Sequence, residues 1–131
     1  MALSGKEIVE NFYTSDFYQD KEVLREFLHP QVELSWYGTT GLKTLNLDEI
    51  SDISHHLAHS FESLRAEVEN VISENGKTAI QFTYHVRTIE NPEEEMPLAH
   101  FMAIWELKDD KLYRGVQISQ LGEEVSEQAW L

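Results

Sequence analysis

The chain has 131 residues, carries 24 Asp and Glu against 10 Lys and Arg for a formal net charge of −14, and contains no cysteine. Disulfides, thiolate nucleophiles and thiolate metal centres are thereby excluded, and without a basic footprint to displace phosphate counterions neither nucleic acid nor an anionic membrane surface is expected as a partner. With 41% hydrophobic and 26% charged residues, the chain has the make-up of one folded domain over 1–131, with apolar material enough for a core.

No apolar run is long enough to span a bilayer. The start Met-Ala-Leu-Ser-Gly-Lys-Glu has no apolar signal-peptide region. A cytoplasmic protein is the expectation, and the lack of cysteine fits a reducing compartment.

In chain order, Ser4 and Glu7 have capping-box spacing and predict a helix over Ser4 to Asp16. Ile8, Phe12 and Ser15 share its apolar face, with Val9 at the edge. Asp20 precedes a second short helix, Lys21 to Leu28, which His29-Pro30 stops. Gln31 to Tyr37 alternates, with Val32, Leu34 and Trp36 on one side, and predicts a strand. Gly38 to Gly41 reads as a loop. A third helix starts at Asn46 or Asp48 and runs to about Phe61, with Ile50, Ile53, Leu57 and Phe61 as its core stripe.

From Leu64 the pattern is that of strands. Asn75-Gly76 predicts a tight hairpin. Thr78 to Thr88 alternates Ile80, Phe82, Tyr84 and Val86 against polar residues. Asn91 to Pro97 reads as a polar loop, Leu98 to Leu107 as a long apolar strand, Asp109-Asp110 as a turn, and Lys111 to Gln120 as the last strand. Helices gathered on one side of sequential antiparallel strands make an α+β domain. Leu98 to Leu107 is apolar on both faces, so its outer face needs cover, and a homodimer through the outer sheet face is expected.

Three stretches carry a family likeness. They are Phe27-Leu28-His29-Pro30-Gln31-Val32-Glu33 at the first helix-to-strand junction, the segment Ala103 to Leu112 across the last hairpin, and the ending Arg114-Gly115-Val116-Gln117-Ile118-Ser119-Gln120. In order and spacing the chain resembles the nuclear transport factor 2-like superfamily, and within it the SnoaL-like branch. The resemblance implies a cystatin-like cone in which N-terminal helices pack on a strongly curved antiparallel sheet and leave a pocket at the open end. It implies a small, mostly apolar organic ligand, no cofactor, and cofactor-free proton-transfer, cyclisation or hydration chemistry. A non-catalytic ligand-binding or dimeric assembly module with the same fold is the alternative. Where steroid isomerases of this family carry a tyrosine and two acids, this chain aligns Phe12, Leu34 and Ala103. Where SnoaL-like cyclases carry an aspartate base on the last strand, it offers Gln117, Ser119 and Gln120. An amide does not abstract a proton at neutral pH.

The expected pocket wall includes Trp36, Tyr84, Phe101, Trp105, Tyr113, Ser119 and Gln120. A filled core occupied by Trp36 and Trp105 is the plain alternative. His100, if it points inward, is the best general base, and Gln117 the best hydrogen-bonding partner for a substrate. His55, His59 and Glu62 recur at helical spacing, but on the face opposite the apolar stripe, so no metal is expected there.

Overall fold

A computed structural model describes residues 4–122 as three helices and six strands. They are α1 (Gly5–Thr14), α2 (Lys21–Phe27), β1 (Leu28–Gly38), β2 (Gly41–Leu45), α3 (Leu47–Ser60), β3 (Ser63–Glu74), β4 (Lys77–Arg87), β5 (Glu95–Lys108) and β6 (Lys111–Leu121). Both ends of the domain expected over 1–131 lie outside the described residues. Among those described, no helix is long and apolar enough to cross a membrane.

The capping signals act as their spacing predicts. The Ser4 hydroxyl accepts from the Glu7 N–H while the Glu7 carboxylate accepts from the Ser4 N–H. Asn46 and Glu49 make the same reciprocal pair at the start of α3, which decides between Asn46 and Asp48 as its cap. α1 stops at Thr14 because Ser15 caps it, its hydroxyl donating to the Phe12 carbonyl at 2.6 Å. Tyr13, not Ser15, therefore joins Ile8, Val9 and Phe12 on the buried face.

The sheet order is β2-β1-β6-β5-β4-β3. Tight turns join β3 to β4 and β5 to β6, and they force antiparallel pairing. Asn75 and Gly76 sit at φ 54° and 77°, and Asp109 and Asp110 at 54° and 60°, the left-handed values such two-residue turns need. No turn links β1 to β6, and these two run parallel. The sheet is therefore mixed, where the sequence suggested a wholly antiparallel one.

Strand boundaries differ from the expectation at Pro30 and Pro97. β1 begins at Leu28 and takes in Pro30, which lies where the β1–β6 pairing is irregular, between Leu28 and Glu33. β5 begins at Glu95 and takes in Pro97, which lies at a register shift against β4. A missing N–H is tolerated at such irregularities because no regular ladder bond depends on it. β2 escaped the sequence reading because Gly-Leu-Lys-Thr-Leu is too short to show a period. It pairs with β1 across the turn that Gly41 closes at φ 104°.

α1 packs on β3 and β4, and α3 on β1 and β2. The core lies between these helices and the inner sheet face, around Phe82, Phe101 and Trp105. Among the described residues no helix lies over the outer face.

Candidate functional site

Between α1, α3 and the inner sheet face lies a cavity of about 70 Å³. Phe12, Tyr13 and Phe17 wall one side, and Ile50, Ile53, Ser54 and Leu57 of α3 the other. Leu34, Trp36, Tyr84, Phe101, Trp105 and Gln117 are the floor. The volume exceeds the roughly 15 Å³ that one water needs. It is smaller than the roughly 300 Å³ at which drug-sized sites begin, so a whole ring enters only if the wall moves.

The aromatic floor is ordered. Phe82 and Phe101 stack with centroids 4.9 Å apart and planes 1° from parallel. Tyr84 meets the Phe101 ring edge-on at 5.1 Å, and Trp36 lies 6.1 Å from it on the other side. Aromatic pairs of this kind fix ring positions by more than their buried area does.

Two polar groups in this region are already engaged. The Trp105 indole N–H donates to the Tyr13 hydroxyl at 2.9 Å, and the Trp36 indole N–H donates to the Ser119 hydroxyl at 2.8 Å. Three others are open. Ser54, Tyr84 and Gln117 are each only 7% exposed, all three line the cavity, and none makes a side-chain hydrogen bond among the described residues. No fully occluded side-chain nitrogen or oxygen lacks a partner. Their polar atoms are therefore not fully occluded, and all three side chains belong to the cavity wall.

Burial raises the pKa of the Tyr84 phenol well above its ordinary value, and the nearby Tyr13 and Tyr18 add to this. Tyr13 is raised by burial too, against a smaller opposing effect of its bond from Trp105. Both are neutral donors at any physiological pH. Among the described residues that line the cavity there is no Asp, Glu, His, Lys or Arg.

The structure brings together Trp36, Tyr84, Phe101, Trp105 and Gln117 of the residues expected at the site. Ser119 stands beside them and holds Trp36. The other three need correction. His100 is exposed on the outer face, where it pairs across strands with Thr83. The Thr83 hydroxyl donates to Glu69 at 2.6 Å and so accepts from His100 Nδ1 at 2.9 Å, which fixes the proton on that nitrogen. Gln120 is exposed beside His100, because a period of two cannot place both Ser119 and Gln120 inside. Tyr113 leaves the cavity because the β5–β6 ladder skips it: Leu107 pairs with Leu112 and Glu106 with Arg114. The bulge turns its ring onto His29 and under the Arg114 guanidinium, 3.9 Å above it.

His55, His56 and His59 are exposed on α3, on the side away from its apolar stripe. His55 and His59 lie ring to ring at 4.1 Å. Among the described residues no three His, Cys, Asp or Glu are grouped to hold a metal. The sequence reading missed Ser54, although it sits four residues after Ile50 on the buried stripe. A polar residue at a core position of a helix was the available signal.

The SnoaL-like domain family matches residues 9–115. The chain belongs to the SnoaL-like family. Solved structures share its fold. IdmH from Streptomyces antibioticus, a proposed polyketide cyclase, superposes with a TM-score of 0.74 at 14% identity over 90% of this chain and 93% of its own. A proposed SnoaL-like polyketide cyclase from Jannaschia sp. CCS1 gives 0.67 at 15% identity over 92% and 91%. TerC, crystallised with polyporic acid, gives 0.66 at 22% identity over 89% and 92%. At these identities the likeness to this SnoaL-like chain is one of fold. No curated protein matches its sequence.

Proposed function

We propose that this SnoaL-like protein binds a small, mostly apolar organic molecule between α1, α3 and the sheet. One observation carries the reading: an aromatic-walled cavity whose lining includes three nine-tenths-buried polar side chains that make no side-chain hydrogen bond among the described residues. A group of this kind is costly to bury unless something hydrogen-bonds to it. Water or a ligand meets that need, and the apolar walls favour a ligand with an apolar body. α3 rests on the two strands at the sheet edge. It is the wall whose displacement disturbs least of the core, and so the route by which the cavity enlarges.

Among the described residues that line the cavity there is no carboxylate, imidazole or amine, so none of them is a general base for the step expected of a cyclase. Its chemistry is that of binding and of polarising a carbonyl by hydrogen bonds. The test is thermal unfolding with a series of apolar aromatic compounds, on the native chain and on Ser54→Phe, which fills the cavity. Ligand at about a hundred times its Kd adds about 2.7 kcal/mol of stability. The native chain should respond and the filled variant should not. No response from the native chain, or equal responses from both, overturns the reading.

A second reading concerns the outer face. Ile72, Ala79, Ile104 and Val116 form one row across β3, β4, β5 and β6. Met102, Ile118, Tyr37 and Leu42 form a parallel row reaching β2. Apart from Ala79 these side chains are large, apolar and 48–65% exposed. A band this apolar on a chain of net charge −14 is where a second copy meets no like charge, and it favours a homodimer.

A further inference from the structure

Charge and placement inside the cavity narrow the ligand class, on the footing that the cavity is a ligand site. We propose that the interior selects an uncharged, flat molecule with hydrogen-bonding oxygens at two separated points, one met by the Tyr84 hydroxyl and the other by the Gln117 amide, and rejects the matching carboxylate.

The separation follows from the register. Tyr84 pairs with Ala99 of β5, and Gln117 pairs with Ala103 of the same strand. The two therefore stand on opposite sides of β5, four positions apart along it. At about 3.3 Å per residue and about 4.8 Å per strand their Cα atoms stand about 16 Å apart, near the limit over which two such side chains could meet at one ligand atom. Phe101 lies between Ala99 and Ala103 on the same inner face, its ring edge-on to Tyr84. A flat ligand seated against the Phe101 side chain would have Tyr84 toward one end and Gln117 toward the other.

The neutrality follows from the lining. A carboxylate moved into this cavity would lose its hydration and meet no cation among the described lining residues, and burying an unpaired ion costs far more than burying a neutral oxygen. The phenol, kept protonated by burial, supplies a donor to a carbonyl or hydroxyl oxygen. The amide offers a donor and an acceptor. Both indole N–H groups in the wall are already bonded, to Tyr13 and Ser119, while the Tyr13 hydroxyl, which accepts one of these bonds, keeps its own proton to donate.

The experiment is calorimetric titration of the full chain with three probes of similar shape: 4-hydroxyacetophenone, 4-hydroxybenzoate and 4-ethyltoluene, each also against Tyr84→Phe and Gln117→Leu. The neutral ketone should bind about tenfold or more tightly than the anion. Each variant should weaken the ketone by about two- to tenfold, the range of one hydrogen bond, and leave 4-ethyltoluene unchanged. Equal affinity for ketone and anion, or ketone binding indifferent to both variants, overturns the proposal while the ligand-site reading stands. If none of the three probes binds, the ligand-site reading falls and this proposal with it.

Discussion

The Trp105 indole N–H and the Tyr13 hydroxyl, 92 positions apart in sequence, meet at 2.9 Å in the centre of the molecule and tie α1 to β5. The indole can only donate, so the bond has no substitute within the protein if the hydroxyl is removed. Tyr13→Phe keeps the ring and strands a buried N–H, which should cost about 1–3 kcal/mol in urea unfolding. Removing the donor as well, in Tyr13→Phe with Trp105→Phe, should cost less than the sum of the single changes. A Tyr13→Phe chain as stable as the native one would show that the bond contributes nothing.

Gly115 gives Trp105 its place. The two are cross-strand partners, and a Cβ on Gly115 would come within 2.7 Å of the indole ring. The six-membered edge of the ring thus lies flat on the β6 backbone. Gly115→Ala forces the ring off its rotamer at a cost of about 1–3 kcal/mol. The same change in a Trp105→Leu background should cost markedly less, because the clash is gone. Equal costs in both backgrounds would mean that the glycine serves the backbone and not the ring.

These two contacts also show what could be read from the residues and what could not. Caps, hairpins and alternation are local, so Ser4 with Glu7, Asn75-Gly76 and the strand Thr78 to Thr88 announced themselves. So did the inner-face residues Trp36 and Tyr84, each placed by a period of two within one strand, whereas Phe101, Trp105 and Gln117 rested on the family resemblance as well. Bulges broke the method. The extra residue at Tyr113 shifts the alternation within β6, and a sequence pattern holds no mark of where a ladder will skip. His100 failed for a related reason: a strand apolar on both faces gives no clue to its inner side, and only the pairing with Thr83 settles it. The parallel β1–β6 contact joins segments about as far apart as the fold contains, with no turn to declare its direction.

Acid should weaken one contact between β3 and β5. The Arg65 guanidinium donates to both Glu95 oxygens, at 2.9 and 2.7 Å, reaching over β4. This bond holds the Glu95 carboxyl below its ordinary value of 4.5, with smaller help from the charges of Arg65, His85 and Arg87. A carboxyl depressed in the folded state contributes stability above its unfolded value, and that contribution disappears as pH falls through the folded value. Glu95→Gln should therefore be less stable than the native chain at about pH 7, by a gap that is smaller at about pH 3. Because the pair is open to solvent, the difference at neutral pH should be at most about 1 kcal/mol. A gap of the same size at both pH values would assign the loss to packing.

The outer face yields the last prediction. Ile104 stands at the centre of its apolar row, half exposed, between Val116 and Ala79. If two copies meet there, the side chain is buried in the pair although it is open in the single chain, and a charge at that point would be buried without a partner on each copy. Ile104→Glu should then dissociate the dimer, since an uncompensated buried charge costs about 3–5 kcal/mol and the two-fold doubles it. In the single chain the same residue faces water, so the fold of the variant should be as stable as that of the native monomer. Equilibrium sedimentation reads the result directly. A native dimer that Ile104→Glu turns into a folded monomer places the contact on this face. A native chain that is already a monomer at micromolar concentration removes the second copy from consideration, and a dimer untouched by the substitution moves its interface elsewhere.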